Sequence, residues 1–281
     1  MPIVLSISSM NDKLWMAGPE GLFAQNGTEE LTQVPQPQSE LACCSTEGNR
    51  ILVGGMPHGI AFSLDEGANW QASWMDGVDS TVLCIAPDPQ VESSGVLLAG
   101  SAGGGILRTH DRGHSWNTCN FGLQDYTILS LTWAPVMDAK VYPHWEVVFA
   151  TTEEGVYRSP NAGRGWTRCD IPDGVYQAMA VAPDFHAYGP NGGTVLVGAE
   201  ETGLWRSTDG GRVFKHVEGA PARVDALAAT VDGWMLSDEN GLWRSVDGLA
   251  WEHMPDSQPA LTLVSTADGV FAGGEQGVSV V

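Results

Sequence analysis

Short apolar runs, each broken by a turn rich in glycine or aspartate, recur along the whole of this 281-residue chain. Within one unit the pattern predicts four strands, because runs of β-branched and aromatic residues bounded by turn formers suit a pleated, half-buried surface. The clearest unit reads Ala178-Met179-Ala180-Val181-Ala182, Thr194-Val195-Leu196-Val197-Gly198, Gly203-Leu204-Trp205-Arg206-Ser207, and then a strand opening near Phe214. Its first run has counterparts at Leu5-Ser6-Ile7, Leu41-Ala42-Cys43, Leu83-Cys84-Ile85, Leu129-Ser130-Leu131, Ala226-Leu227-Ala228 and Thr262-Leu263-Val264. These runs are apolar on both faces, the pattern of an inner strand sandwiched between neighbouring sheets.

The third strand of each unit opens on a glycine: Gly21, Gly59, Gly105, Gly155, Gly203, Gly241 and Gly277, at steps of 38, 46, 50, 48, 38 and 36 residues. That period is the length of a four-stranded propeller blade. The chain is therefore predicted to be all-β, a seven-bladed β-propeller forming one domain over residues 1–281, with six blades as the runner-up. The seventh unit shows three strands, ending at Gly277-Val278-Ser279-Val280-Val281. Its blade is expected to be three-stranded or completed by another chain, since a bare edge invites pairing.

The turn after the third strand is the most regular stretch. It reads Ser/Thr-x-Asp-x-Gly-x-x-Trp at Ser63–Trp70 and Thr109–Trp116, with Asn161 replacing Asp in Ser159–Trp166 and Phe214 replacing Trp in Ser207–Phe214. A fifth copy, Ser245–Trp251, is one residue shorter. Ser/Thr and Asp side chains can close such a turn onto its own N–H groups, and the glycine takes a backbone geometry other residues avoid. Asp65, Asp111, Asn161, Asp209 and Asp247 are read as structural on this ground. Arg108, Arg158, Arg206 and Arg244 stand just before the Ser/Thr and are expected to pack on the blade or pair with a neighbouring blade's carboxylate.

The repeat resembles the Asp-box, or bacterial neuraminidase repeat. That resemblance spans nearly the whole chain as a repeat type and points to three groups: sialidases and related glycoside hydrolases, sortilin-type receptors, and photosystem II stability/assembly factor-like proteins. Sialidase activity would require an arginine triad and a Tyr–Glu nucleophile pair. Of the arginines here only Arg50 and Arg223 stand free of the repeat, so no triad can be assembled.

Charge narrows the function further. With a net charge of −21 and only three lysines (Lys13, Lys140, Lys215), the chain is set against nucleic-acid backbones and anionic membranes. Its N-terminus lacks a basic region followed by an apolar stretch, so a cytoplasmic location is expected. The five cysteines show no metal-binding spacing and are read as reduced and mostly buried.

In a propeller the B–C and D–A loops share one face around the channel, and the repeated C–D turns lie on the other. Two positions before the anchoring glycine stand Glu153, Glu201, Glu239 and Glu275, in four consecutive units, with Glu20 beside the matching place in the first and His58 in the second. The D–A stretches add Trp74, Tyr126, Tyr176 and Arg223. Carboxylates from separate blades do not converge tightly enough for a metal, so no metal or cofactor is expected. The arc is expected to bind a protein partner through a basic segment, in a non-catalytic interaction or assembly role. The alternative is a glycoside hydrolase or carbohydrate-binding propeller using the same carboxylates and aromatics.

Overall fold

The computed structural model describes residues 1–27, 30–56, 59–75, 79–136, 146–187 and 193–281. Seven sheets follow one another around a central channel, each starting with its strand at the channel and stepping outward. In blade 5 the strands are Tyr176–Val181, Val195–Ala199, Leu204–Ser207 and Lys215–His216. Blade 7 has three, Thr262–Thr266, Gly269–Gly274 and Gly277–Val280. The chain is thus a seven-bladed β-propeller whose last blade has three strands, and the six-bladed alternative falls away.

Packing between blades follows from the doubly apolar inner strands. The side chains of one blade's second strand and the next blade's first strand form a separate buried cluster at each seam, as where Leu52, Leu97, Ala99 and Val82 meet. The ring closes by the same contact. Gly273 of blade 7 lies so close to Val4 and Ile7 of blade 1 that an added Cβ would fall 2.7 Å from a Val4 methyl, and Val4 N–H donates to Gly274 O at 3.0 Å. The cysteines fill such seams: Cys44 turns toward Ser6 and Trp15 of blade 1 and Cys43 toward Val82 of blade 3. All five are free, and burial pushes the Cys44, Cys84 and Cys169 thiols up to about 12.

The repeated turn closes as its residue types require. In Thr109–Trp116, Thr109 Oγ1 donates to Asp111 Oδ1 at 2.6 Å and accepts from Gly113 N–H at 3.1 Å, while Asp111 Oδ1 accepts from Ser115 N–H at 2.9 Å. Asn161 makes the same bonds with its side-chain oxygen. The residue after the Asp is left-handed too: Glu66, Arg112 and Ala162 have φ of 56°, 59° and 57°. Burial opposes ionisation of Asp111, but hydrogen bonds from Ser115 and Thr109 outweigh it and hold the carboxyl down at about 2. Asp65, Asp209 and Asp247 are also lowered. A group depressed in the folded state stabilises the fold above its unfolded pKa and loses that contribution as the pH falls through the folded one. The urea midpoint should therefore hold above about pH 4 and decline toward pH 2, and Asp111→Asn should flatten that decline.

The third-strand arginines do not reach carboxylates of the next blade. For Arg108 and Arg158 the acceptors are backbone carbonyls of its turn, while Arg244 pairs with Glu252 of its own blade. Arg108 Nε donates to Ala162 O at 2.9 Å and Arg158 Nε to Gly210 O at 3.0 Å, each the residue after the turn's Asn or Asp. Blade 2 has Phe62 at this position, and Arg50 from its second strand donates to Arg112 O instead. Of the two expected arrangements, packing on the blade or pairing with a neighbouring blade's carboxylate, the second is not found among the described residues, because a turn carbonyl projects toward the preceding blade while the Asp oxygens are spent inside the turn. The short fifth copy lacks the residue between Asp247 and Gly248, which is the one whose carbonyl would accept, and Arg206 Nε is left buried without a partner. Arg158→Ala should accordingly cost about 1–3 kcal/mol by stranding a carbonyl at the seam, whereas Arg206→Ala should cost distinctly less. Paired urea titrations would show it.

Candidate functional site: the acidic channel face

The B–C turns present the predicted row. Glu153, Glu201, Glu239 and Glu275 are all exposed, each between the second and third strands of blades 4 to 7. Among the described residues none of the four side chains makes a hydrogen bond or salt bridge. Glu20 does other work: its carboxylate accepts from Ile3 N–H at 3.3 Å and its carbonyl from Gln33 Nε2 at 2.9 Å, tying the N-terminal segment to blade 1. His58 lies outside the described residues.

The two arginines beside this row are engaged. Arg223 Nε donates to Asp225 Oδ1 at 2.7 Å. Asp225 raises the Arg223 pKa most, and the negative charges of Glu200 and Glu239 raise it further. Arg168 Nη2 bonds Asp173 Oδ1 at 2.5 Å and Glu154 O at 3.0 Å. Around it a polar cavity of about 420 Å³ is lined by Gln124, Glu153, Glu154, Arg168 and Asp173. Asp125 Oδ2 fixes the Glu154 turn by accepting its N–H at 3.0 Å.

The channel itself holds a cavity of about 300 Å³ lined by first-strand residues of every blade, among them Ser6, Cys43, Ser130, Gln177, Asp225 and Thr262. Gln177 reaches this mouth because the first strand of blade 5 carries a bulge between Tyr176 and Ala178; a bulge re-aims a side chain. Its Nε2 donates to Asp225 Oδ1 at 3.0 Å and to Val224 O at 3.1 Å. Sequence reasoning missed Gln177, since a lone amide inside an apolar run carries no signal of a bulge. It missed Arg168 because that residue sits in a repeat position.

The predicted aromatics are not gathered here. Tyr176 is fully buried, its hydroxyl donating to Pro172 O at 2.9 Å, and burial pushes its pKa up to about 12. It is a core residue at the start of an inner strand and offers no platform. Trp74 is exposed but belongs to a two-residue strand, Trp74–Met75, that pairs in parallel with Ser115–Trp116 on the outer rim of blade 3. Tyr126 is 43% exposed, and its carbonyl accepts from Gly103 and Gly105 N–H, securing the glycine-rich B–C turn of blade 3. Among the described residues no three His, Cys, Asp or Glu side chains are placed to hold one metal ion, and no helix is long and apolar enough to cross a membrane.

Fold and site together define the class: a seven-bladed β-propeller with a carboxylate-rich face around its channel. No family model and no curated protein matches the chain. Among solved structures it is similar to an ancestral GH74 enzyme, at 17% identity and a TM-score of 0.78 over 99% of this chain and 44% of that one, so it spans less than half of the enzyme's length. It is similar also to YCF48 bound to D1 peptide, at 17% identity and a TM-score of 0.73 over 99% and 92%. The WD40 β-propeller domain of Doa1 aligns at 13% identity and 0.73 over 99% and 91%. At such identities the likeness is one of fold.

Proposed function

We propose that this chain is a non-catalytic interaction propeller that docks a protein partner by laying a basic, extended segment across the channel face. One observation carries the reading: four carboxylates from four consecutive blades stand exposed and unpaired in one arc, while both neighbouring arginines are already committed to Asp173 and Asp225. Such a face attracts cations over a Debye length and gives register to a segment whose charges match its spacing. The propeller likeness to YCF48 bound to D1 peptide supports a peptide-docking role. The turn repeat, read as an Asp-box, supplies the scaffold and takes no part in binding.

Calorimetric titration with Lys/Arg-rich extended peptides, against the wild type and a variant with the four glutamates changed to Gln, tests the reading. Equal affinity for both proteins at low salt would end it. A second reading, glycoside hydrolysis, has in its favour the three carboxylates Glu153, Glu154 and Asp173 in one cavity. Turnover of a glycoside panel by the wild type, abolished in Glu153→Gln or Glu154→Gln, would establish that reading.

A further inference from the structure

The seam between blades 5 and 6 departs from the two before it in two ways, and both leave positive charge without a partner. The first is the short turn. Arg206 occupies the register position of Arg108 and Arg158, yet no turn carbonyl meets it and its Nε is buried without an acceptor. The second lies across the ladder. Opposite Phe62, Arg108, Arg158 and Arg244 the fourth strands carry Gln71, Asn117, Thr167 and Glu252. Opposite Arg206 stands Lys215. Directly opposed residues share a face, and like charges so placed destabilise a ladder. Among the described residues neither cation forms a salt bridge, in a chain whose net charge is −21.

Arg206 and Lys215 line one cavity of about 500 Å³ at this seam. Its apolar part is made by Val213, Val217 and Leu249. Leu249 belongs to the short turn of blade 6, so the shortened turn that withholds the carbonyl also supplies a wall. Val213 and Leu249 are 41% and 48% exposed, apolar surface that a ligand could cover. One carboxylate, Asp209, borders the same space. Its Oδ1 is taken up inside its own turn by Ser207 Oγ at 2.7 Å, Arg212 N–H at 2.9 Å and Val213 N–H at 3.1 Å.

We infer that this seam is a binding site for a small organic carboxylate with a short apolar body. A ligand oxygen takes the place that Ala162 O and Gly210 O hold against Arg108 and Arg158 in the two preceding seams. The planar guanidinium suits a carboxylate because its parallel N–H groups meet both oxygens. Lys215 adds a point charge from the opposite strand, and Val213, Val217 and Leu249 cover the carbon chain. Asp209 sets the charge of the ligand. A second negative charge would be repelled by it, so a monocarboxylate is favoured over a phosphate dianion. The site lies beside the C–D turns, on the other side of the ring from the glutamate arc, and is independent of the docking role proposed for that arc.

The probe is hexanoate, titrated into the whole protein and followed by NMR of the arginine Nε–H signals, with hexanol and inorganic phosphate as controls. Saturable binding of hexanoate with a shift of one Nε–H signal is expected, and both controls should bind about tenfold more weakly or worse. Arg206→Ala should weaken hexanoate about tenfold or more, the loss expected for a hydrogen bond to a charged group. Lys215→Met should weaken it a few-fold, as for an exposed charge. A glycine inserted between Asp247 and Gly248 gives the turn its full length, returns a carbonyl to Arg206, and should abolish binding. Arg206→Ala should melt close to the parent, since that side chain satisfies no carbonyl in the free protein. No saturable binding, hexanol or phosphate bound as tightly as hexanoate, or an affinity unchanged by Arg206→Ala or by the insertion would overturn the inference.

Discussion

Gly211→Ala should lower the unfolding free energy by roughly 2–4 kcal/mol through left-handed strain plus overpacking. Gly211 has φ of +80°, which an L side chain adopts at a cost. Its missing Cβ would also run into the Phe149 ring. Phe149 has nowhere to go: it is fully buried and meets Phe185 edge-on, with ring centroids 6.0 Å apart. Urea unfolding followed by tryptophan fluorescence would report the loss as a lower midpoint at unchanged slope. Adding Phe149→Leu should recover part of it by removing the clash and leaving the backbone strain. If Gly211→Ala unfolds at the parent's midpoint, the turn does not fasten the blade 4–5 seam in the way described.

The fourfold change of Glu153, Glu201, Glu239 and Glu275 to Gln should slow association with a basic peptide by about tenfold or more at low salt, because exposed rim charges act mainly on encounter. Dissociation should change far less. Raising the ionic strength should slow the wild type toward the variant, since the arc is solvent-exposed and screened beyond about 8 Å at physiological salt. The four side chains make no hydrogen bond or salt bridge among the described residues, so the variant should melt with the parent. That makes the experiment a test of the face alone. Matching association rates at every salt concentration would remove the acidic arc from any docking role.

Some of this was plain in the residues and some was not. The seven glycine anchors from Gly21 to Gly277 gave blade number and order, because each blade repeats the same local demands on strand pattern and turn chemistry. Asp65, Asp111, Asn161, Asp209 and Asp247 were legible as turn residues, since their bonds close within four residues of themselves. Tyr176 looked like a loop aromatic and proved to be core, because it opens the inner strand Tyr176–Val181 and packs in the buried cluster with Phe149, Met179 and Val197. Trp74 looked like part of the channel face and lies on the rim, because the outer strands pair across blades.

The sequence by itself determined the blades, the turns that end third strands, and the row of glutamates two residues before the anchoring glycine in four consecutive units. These are local consequences of period, turn geometry and charge. Only the tertiary structure decided that Arg108 and Arg158 bind carbonyls of the next blade, that Gln177 and Asp225 meet at the channel mouth, and that Trp234, Met235, Arg244 and Trp251 line one cavity. The first two join residues brought together by the ring, and a chain of repeats records what every blade contains without recording how two blades face each other.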